Sequence, residues 1–157
     1  MEERISAYEK GQGAVKAIYG LNAYNAKSRI EKPLQDLIHF RVSQINGCAY
    51  CLDMHSKDLR AEGETEQRLY MLEAWRESPF YTERERAALA WAEAVTKITE
   101  GHVPDEVYQQ ARKQFSEEEL IDLTMVIVTI NCYNRLNIAF RIKAGGYKVG
   151  QHATVAR

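Results

Sequence analysis

The sequence predicts an all-α domain, a bundle of about six or seven helices, and three observations support this prediction. Apolar residues recur at steps of three and four along most of the chain. Only three of the 157 residues are proline, and the nine glycines fall mostly where these patterns stop. β-branched residues dominate only one short run, "MVIVTI" at 125–130. We expect residues 1–157 to form one domain.

The first predicted helix covers residues 13–28, with a short helical turn before it, and the second runs from Pro33 to Asn46. Proline suits a first helical turn because its missing N–H has no partner there. Gly47 is a natural left-handed cap for the end of the second helix. Its apolar residues share one face: Leu34, Leu37, Ile38, Val42 and Ile45.

A third helix is predicted from Cys48 to Glu62, followed by a fourth over residues 64–76. Beyond Pro79, two capping boxes mark helix starts. The box at Thr82 and Glu85 begins a helix that extends to about Thr99, and a short helix is predicted over 104–114.

The second capping box, Ser116 with Glu119, opens a long apolar segment that ends near Gly145. Its "MVIVTI" run has strand propensity, but the differences are only about 1 kcal/mol per residue, and the spacing on either side favours one helix. Because apolar groups cover most of its circumference, we expect this helix to be buried from several sides, including an oligomer interface. The tail 146–157 has no periodicity and is expected to be loosely held.

The formal net charge of −1 and the lack of a basic run make a nucleic-acid partner unexpected. No stretch has the length of a membrane span or of a signal-peptide core, so we expect no membrane association and a cytoplasmic location. In that compartment thiols are reduced, and a CxxC pair is more often catalytic or metal-binding than structural.

Cys48, Cys51 and His55 are spaced to share one face of the third helix. The helix N-terminus favours thiolate over thiol, and an imidazole can accept the thiol proton. The residues thus supply a nucleophile, a second thiol and a base. Three alternatives are weaker: zinc lacks a second ligand pair, covalent haem needs histidine where Leu52 stands, and two inert buried cysteines would not explain the histidine in phase.

The stretch "SQINGCAYCLDMHSKDLRAEG" resembles the core of the AhpD-like alkylhydroperoxidases, within the carboxymuconolactone decarboxylase superfamily. The resemblance is close over residues 33–72 and weaker to the end of the chain. It implies an all-α fold, trimers or larger assemblies such as hexamers, and a thiol-dependent peroxidase. It also implies a hydroperoxide substrate, no bound cofactor, and an external dithiol or lipoyl-type reductant.

The resemblance implies that Cys51 attacks the peroxide, that Cys48 resolves the product to a disulfide, and that His55 relays protons. The residues alone leave the choice of nucleophile open. The helix dipole favours Cys48, whereas the shorter distance to the base favours Cys51.

Relatives usually carry a glutamate twelve residues before the first cysteine, and Asp36 occupies that position here. Asp36 could still reach His55, directly or through a water, or it could be a solvated acid of the first helical turn. His39 could join this relay or simply pair with Asp36. Whether Tyr50 lines the site stays open.

Two other functions share the predicted fold: a carboxymuconolactone decarboxylase-like lyase, and a non-enzymatic, oligomeric thiol redox sensor. Away from the cysteine pair, Asn131 and Asn134 lie three apart in an apolar helix, and we expect them to fix helix packing. Cys132 beside them is expected to be a small core residue.

Overall fold

The structure is a computed structural model that describes residues 2–152, and within them it contains helices and no strand. The all-α prediction is therefore confirmed. Eight α-helices are present in this range, one more than the upper expectation, because the predicted turn before the first long helix is itself a short helix. They are α1 Ala7–Lys10, α2 Gln12–Asn25, α3 Lys32–Asn46, α4 Ala49–Ala61, α5 Glu66–Met71, α6 Glu83–Thr96, α7 Asp105–Arg112 and α8 Glu117–Phe140.

The helix starts follow the local signals in the sequence. Both capping boxes form, with Thr82 capping α6 and Ser116 capping α8. Pro33 lies in the first turn of α3, and Gly47 ends that helix in the left-handed conformation, with φ of 68°. Only glycine adopts this conformation at no steric cost, and it turns the chain directly into α4.

Helices α3 and α8 pack along each other at the centre of the bundle, with α2, α4 and α6 around them. The "MVIVTI" run is helical, and Val126 and Ile127 are fully buried against the apolar face of α3. Tertiary burial thus outweighs the β propensity of these residues. Asn46 of α3 donates to the side-chain oxygens of Asn131, at 3.0 Å, and Asn134, at 2.8 Å. These bonds confirm that the two amides serve helix packing.

Helix α8 ends at Phe140, five residues before the predicted glycine. Arg141 takes the left-handed conformation there, with φ of 58°. The backbone N–H of Arg4 donates to the carbonyl of Phe140 at 3.0 Å. The N-terminal segment therefore satisfies a carbonyl that the helix end leaves free, a contact that no local pattern predicts.

The segment after α8 packs against α4 as far as it is described. Tyr147 is buried, its hydroxyl donates to the Asp58 carboxylate at 2.8 Å, and Lys57 donates to its carbonyl at 3.1 Å. Residues 153–157 of the predicted loose tail lie outside the described residues.

One side of α8 remains exposed in the single chain. Ile121, Val128 and Ile138 are 61%, 37% and 45% exposed. An oligomer interface on this side stays a prediction. Within residues 2–152 we find no helix with the length and apolar character that crossing a membrane requires.

Candidate active site

Cys48 and Cys51 occupy the start of α4, as predicted. Cys48 is the N-cap residue, and its sulfur accepts from the backbone N–H of Cys51 at 3.4 Å. The two Cα atoms are 5.3 Å apart, and the sulfurs lie at disulfide-bonding distance. The chain reversal at Gly47 places Cys48 in extended backbone, so that its side chain turns back over the first turn of the helix.

A cavity of about 490 Å³ lies beside this helix start, between α2, α3, α4 and α8. Cys51 and His55 line it. Cys48 and Asp36 do not line this cavity. The wall is mostly apolar and carries four phenol side chains, those of Tyr8, Tyr19, Tyr50 and Tyr133. The two sulfurs are therefore not equivalent, because only one of them faces the space where a substrate can lie.

Two imidazoles share the cavity wall. The rings of His39 and His55 are 5.2 Å apart between centroids, and Nε2 of each is buried without a hydrogen-bond partner in the described protein. Burial, together with the Lys32 charge, lowers the pKa of His39 to about 4. Burial, with His39 and Lys32 nearby, also holds the pKa of His55 well below its usual value. Both rings are therefore neutral near pH 7 and can accept a proton.

Asp36 lies behind this wall rather than in it. It is buried, which excludes a solvated acid, and its carboxylate contacts the Lys32 ammonium. His39 Nδ1 lies 4.0 Å from Asp36, whereas no hydrogen bond joins Asp36 to His55. Burial raises the pKa of Asp36 to about 6, although Lys32 opposes this rise. The three groups are thus arranged in the order Asp36, His39 and His55.

Asn137 and Tyr8 also belong to the site, and neither was predicted from the sequence. The Asn137 amide donates to the Cys51 sulfur at 3.3 Å and accepts from the Tyr8 hydroxyl at 3.0 Å. A signal for Asn137 exists, because it continues the three-residue spacing of Asn131 and Asn134 along α8. Tyr8 has no such signal, since its partner is 129 residues away.

Within residues 2–152, no group of three or more histidine, cysteine or acidic side chains is placed to hold a metal ion. His39, His55 and Cys51 line one cavity, whose wall is mostly apolar and whose polar groups are mainly phenols and side-chain amides. The arrangement suits thiol chemistry with a proton acceptor close by.

The chain belongs to the carboxymuconolactone decarboxylase family, whose model matches residues 12–94. It is 44% identical to the uncharacterized protein YdfG of Bacillus subtilis (strain 168) over 144 residues, which cover 92% of this chain and 98% of YdfG. It is also 29% identical over 120 residues to the uncharacterized protein YnjA of Escherichia coli (strain K12), covering 76% of this chain and 65% of YnjA.

Solved structures of similar proteins share the fold. A protein of unknown function from Agrobacterium tumefaciens, described as a candidate antioxidant defence protein AhpD, has a TM-score of 0.89 and 42% identity, covering 93% of this chain and all of its own. The debrominase Bmp8 has a TM-score of 0.77 and 26% identity, covering 94% of this chain and 77% of Bmp8. The AhpD-like fold predicted from the cysteine motif is therefore confirmed.

Proposed function

We propose that this protein is a thiol-dependent peroxidase that reduces organic hydroperoxides through a dithiol–disulfide cycle. The observation that carries the proposal is the placement of the sulfurs. Cys51 faces a cavity large enough for an organic substrate, while Cys48 lies behind it at disulfide-bonding distance. The helix dipole and the histidine spacing leave the choice of nucleophile open, and this geometry supports Cys51.

In the first step the Cys51 thiolate attacks the distal oxygen of the hydroperoxide. A sulfur–oxygen bond forms, the oxygen–oxygen bond breaks, and the leaving alkoxide takes a proton to become an alcohol. Cys51 is oxidised to a sulfenic acid. Buried neutral His55 is suited to accept the thiol proton beforehand and to return it to the leaving oxygen.

In the second step the Cys48 sulfur attacks the sulfenic sulfur of Cys51. The disulfide forms, and the hydroxide that leaves is protonated to water. The cycle converts one hydroperoxide and two thiols into an alcohol, water and a disulfide. An external dithiol, either a lipoyl group or a dithiol protein, then restores both thiols by exchange.

The proton route that fits the contacts passes through His39. Asp36 lies near His39 and makes no hydrogen bond to His55, while the two imidazole rings lie side by side. His39 thus takes the place between carboxylate and base that a longer glutamate side chain would span. The shorter reach of Asp36 is offset by an added ring rather than by a direct contact.

The cavity favours a second candidate, reductive dehalogenation. Its volume of about 490 Å³ is larger than a small peroxide needs, and its wall carries several phenol side chains. Bmp8 is named a debrominase, and a cysteine-to-alanine variant of it has been crystallised with 2,3,4-tribromopyrrole, with a TM-score of 0.76 to this chain. In such a reaction two thiols would replace a carbon–bromine bond by carbon–hydrogen, with release of bromide and formation of the disulfide.

The test is turnover of cumene hydroperoxide with excess dithiol, compared with release of bromide from a bromopyrrole under the same conditions. We expect many peroxide molecules consumed per chain, loss of turnover in Cys51→Ser and Cys48→Ser, and full turnover in the matched control Cys132→Ser. A protein that is oxidised once and then stops is a redox sensor. Bromide release without peroxide consumption assigns the second candidate.

A further inference from the structure

The neutral state of His55 raises a question about the Cys51 sulfur. A reactive cysteine needs its thiolate stabilised, and in many sites an adjacent imidazolium does this. Burial holds the pKa of His55 well below its usual value, so an imidazolium beside the Cys51 thiolate is disfavoured and this ring gives the resting sulfur little counter-charge. Cys51 also lies one turn inside α4, where Cys48 already occupies the cap position. A hydrogen-bond donor at the Cys51 sulfur would therefore add to the stabilisation of its thiolate.

We propose that Asn137 is the positioning residue that holds the Cys51 sulfur as a thiolate, and that Tyr8 fixes the Asn137 amide in the orientation this requires. The inference rests on the proposed function for its biological meaning. It adds two residues from the opposite ends of the chain, on α1 and α8, to the cysteine motif on α4.

Both polar atoms of the Asn137 side chain have a defined partner. Nδ2 lies 3.3 Å from the Cys51 sulfur, and Oδ1 accepts from the Tyr8 hydroxyl at 3.0 Å. An amide that flipped would direct its oxygen at the sulfur and lose both bonds. Asn137 is only 4% exposed, so water does not compete freely for its donor. A hydrogen bond to an ionised group is roughly twice as strong as one between neutral groups.

The Tyr8 hydroxyl is a dependable donor for this purpose. Burial, together with nearby Tyr50, raises the pKa of Tyr8 to about 12, so the phenol keeps its proton throughout the physiological range. A carboxylate in place of Asn137 would accept rather than donate, and it would place a second negative charge against the thiolate. The asparagine side chain therefore fits between a phenol donor and an anionic sulfur.

Other titratable groups face the same cavity and belong in any measurement of Cys51 ionisation. On the remaining walls these are Lys32 and His39 of α3, His55 of α4, His152 of the C-terminal segment, and the phenols at 19, 50 and 133. Among the described side chains, Asn137 is the one recorded with a hydrogen bond to the Cys51 sulfur. Its effect can thus be isolated by substitution.

The experiment measures the pH dependence of Cys51 alkylation by iodoacetamide in reduced protein carrying Cys48→Ser and Cys132→Ser, so that one thiol titrates. We expect Asn137→Leu to raise the Cys51 pKa by about one pH unit, and Asn137→Asp by more. Tyr8→Phe should raise it less, because the amide keeps its donor and loses only its anchor. Tyr147→Phe is the matched control, since Tyr147 is a buried tyrosine outside the cavity wall whose hydroxyl donates to Asp58 at 2.8 Å, and it should leave the Cys51 pKa unchanged.

A purely structural role for Asn137 would lower thermal stability without moving the alkylation profile. An Asn137→Leu profile that superimposes on that of the parent overturns the proposal. If this variant does not fold, equal profiles for Tyr8→Phe and Tyr147→Phe overturn it instead. Alkylation needs no peroxide, so the two proposals fail separately: a shifted profile without peroxide turnover keeps this assignment and removes the proposed function.

Discussion

The polar groups on one side of α3 are hydrogen-bonded within the protein, whereas two ring nitrogens on the other side are not. On the side that faces α6, Arg41 donates to Glu93 at 2.8 and 3.0 Å, and the Trp75 indole donates to the same carboxylate at 2.8 Å. Burial alone would raise the pKa of Glu93, but the bonds from Trp75, Arg41 and Arg76 outweigh it and lower this pKa. The Glu93 carboxylate therefore has its hydrogen-bond donors within the protein.

On the cavity side of α3, His39 lies only two residues from Arg41 along the chain. Its Nε2 and that of His55 are buried without a protein partner. Buried polar groups are normally hydrogen-bonded, and leaving one unmet costs about 1–3 kcal/mol. In this bundle the polar groups that stabilise the fold are therefore paired, whereas those that can take part in proton transfer have a ring nitrogen without a protein partner.

The largest effect is expected when the hydrogen bonds on the side of α3 that faces α6 are removed. Glu93→Ala leaves the partly buried Arg41 without its counter-charge, and we expect the free energy of unfolding to fall by about 3 kcal/mol. Chemical denaturation measures this change. The matched control is Glu100→Ala, whose exposed pair with Lys97 should contribute less than about 1 kcal/mol. Peroxide turnover per folded molecule should survive in Glu93→Ala, and a selective loss of turnover would contradict the separation of the two sides.

The next effect concerns acid stability on the cavity side. The pKa of His39 is about 4 in the folded protein and ordinarily 6.5. Below pH 6.5 the unfolded chain therefore binds a proton that the folded chain does not, so stability falls as the pH is lowered toward 4. His55 acts in the same direction. Asp36 opposes both, because its raised pKa lets the folded state bind a proton first below about pH 6.

His39→Gln should remove its share of this acid sensitivity, about 3 kcal/mol between pH 7 and pH 4. Denaturation at a series of pH values measures the slope. The parent protein, measured over the same pH series, is the reference for this slope. An unaltered slope in His39→Gln would mean that this ring is charged in the folded protein.

A smaller effect tests whether Asp36 takes part in the proton route. Asp36→Asn keeps the shape but cannot take up a proton, and we expect kcat/KM for peroxide to fall about tenfold. Asp36→Glu adds one methylene and should equal or exceed the parent. Steady-state kinetics with saturating dithiol measure both variants. Parent-like activity in Asp36→Asn would remove the carboxylate from the relay.

Local signals in the sequence predict most of the fold. The capping boxes at Thr82 and Ser116 and the glycine at 47 each act within a few residues, and the helices begin or end there. The end of α8 could not be predicted in this way. It depends on Arg4, whose bond to Phe140 crosses almost the whole chain.

The candidate site likewise contains some contacts that local spacing predicts and others that it does not. Cys48, Cys51 and His55 lie on one helix, so their spacing alone predicts that they meet. Asn137 contacts Cys51, and Tyr8 contacts Asn137, so these contacts join three separate helices. No spacing along the chain predicts contacts of this kind. The i,i+3 spacing on α3 predicted that Asp36 and His39 lie close together, whereas the distance from Asp36 to His55 depends on how α3 packs against α4.

The central claim is that Cys51, facing the cavity, is the sulfur that peroxide oxidises. The most direct measurement is mass spectrometry of Cys48→Ser protein after brief exposure to peroxide in the presence of a dimedone-type reagent, which traps sulfenic acid. We expect label on the peptide that contains Cys51. Label on Cys132 alone, or no label at all, would contradict it.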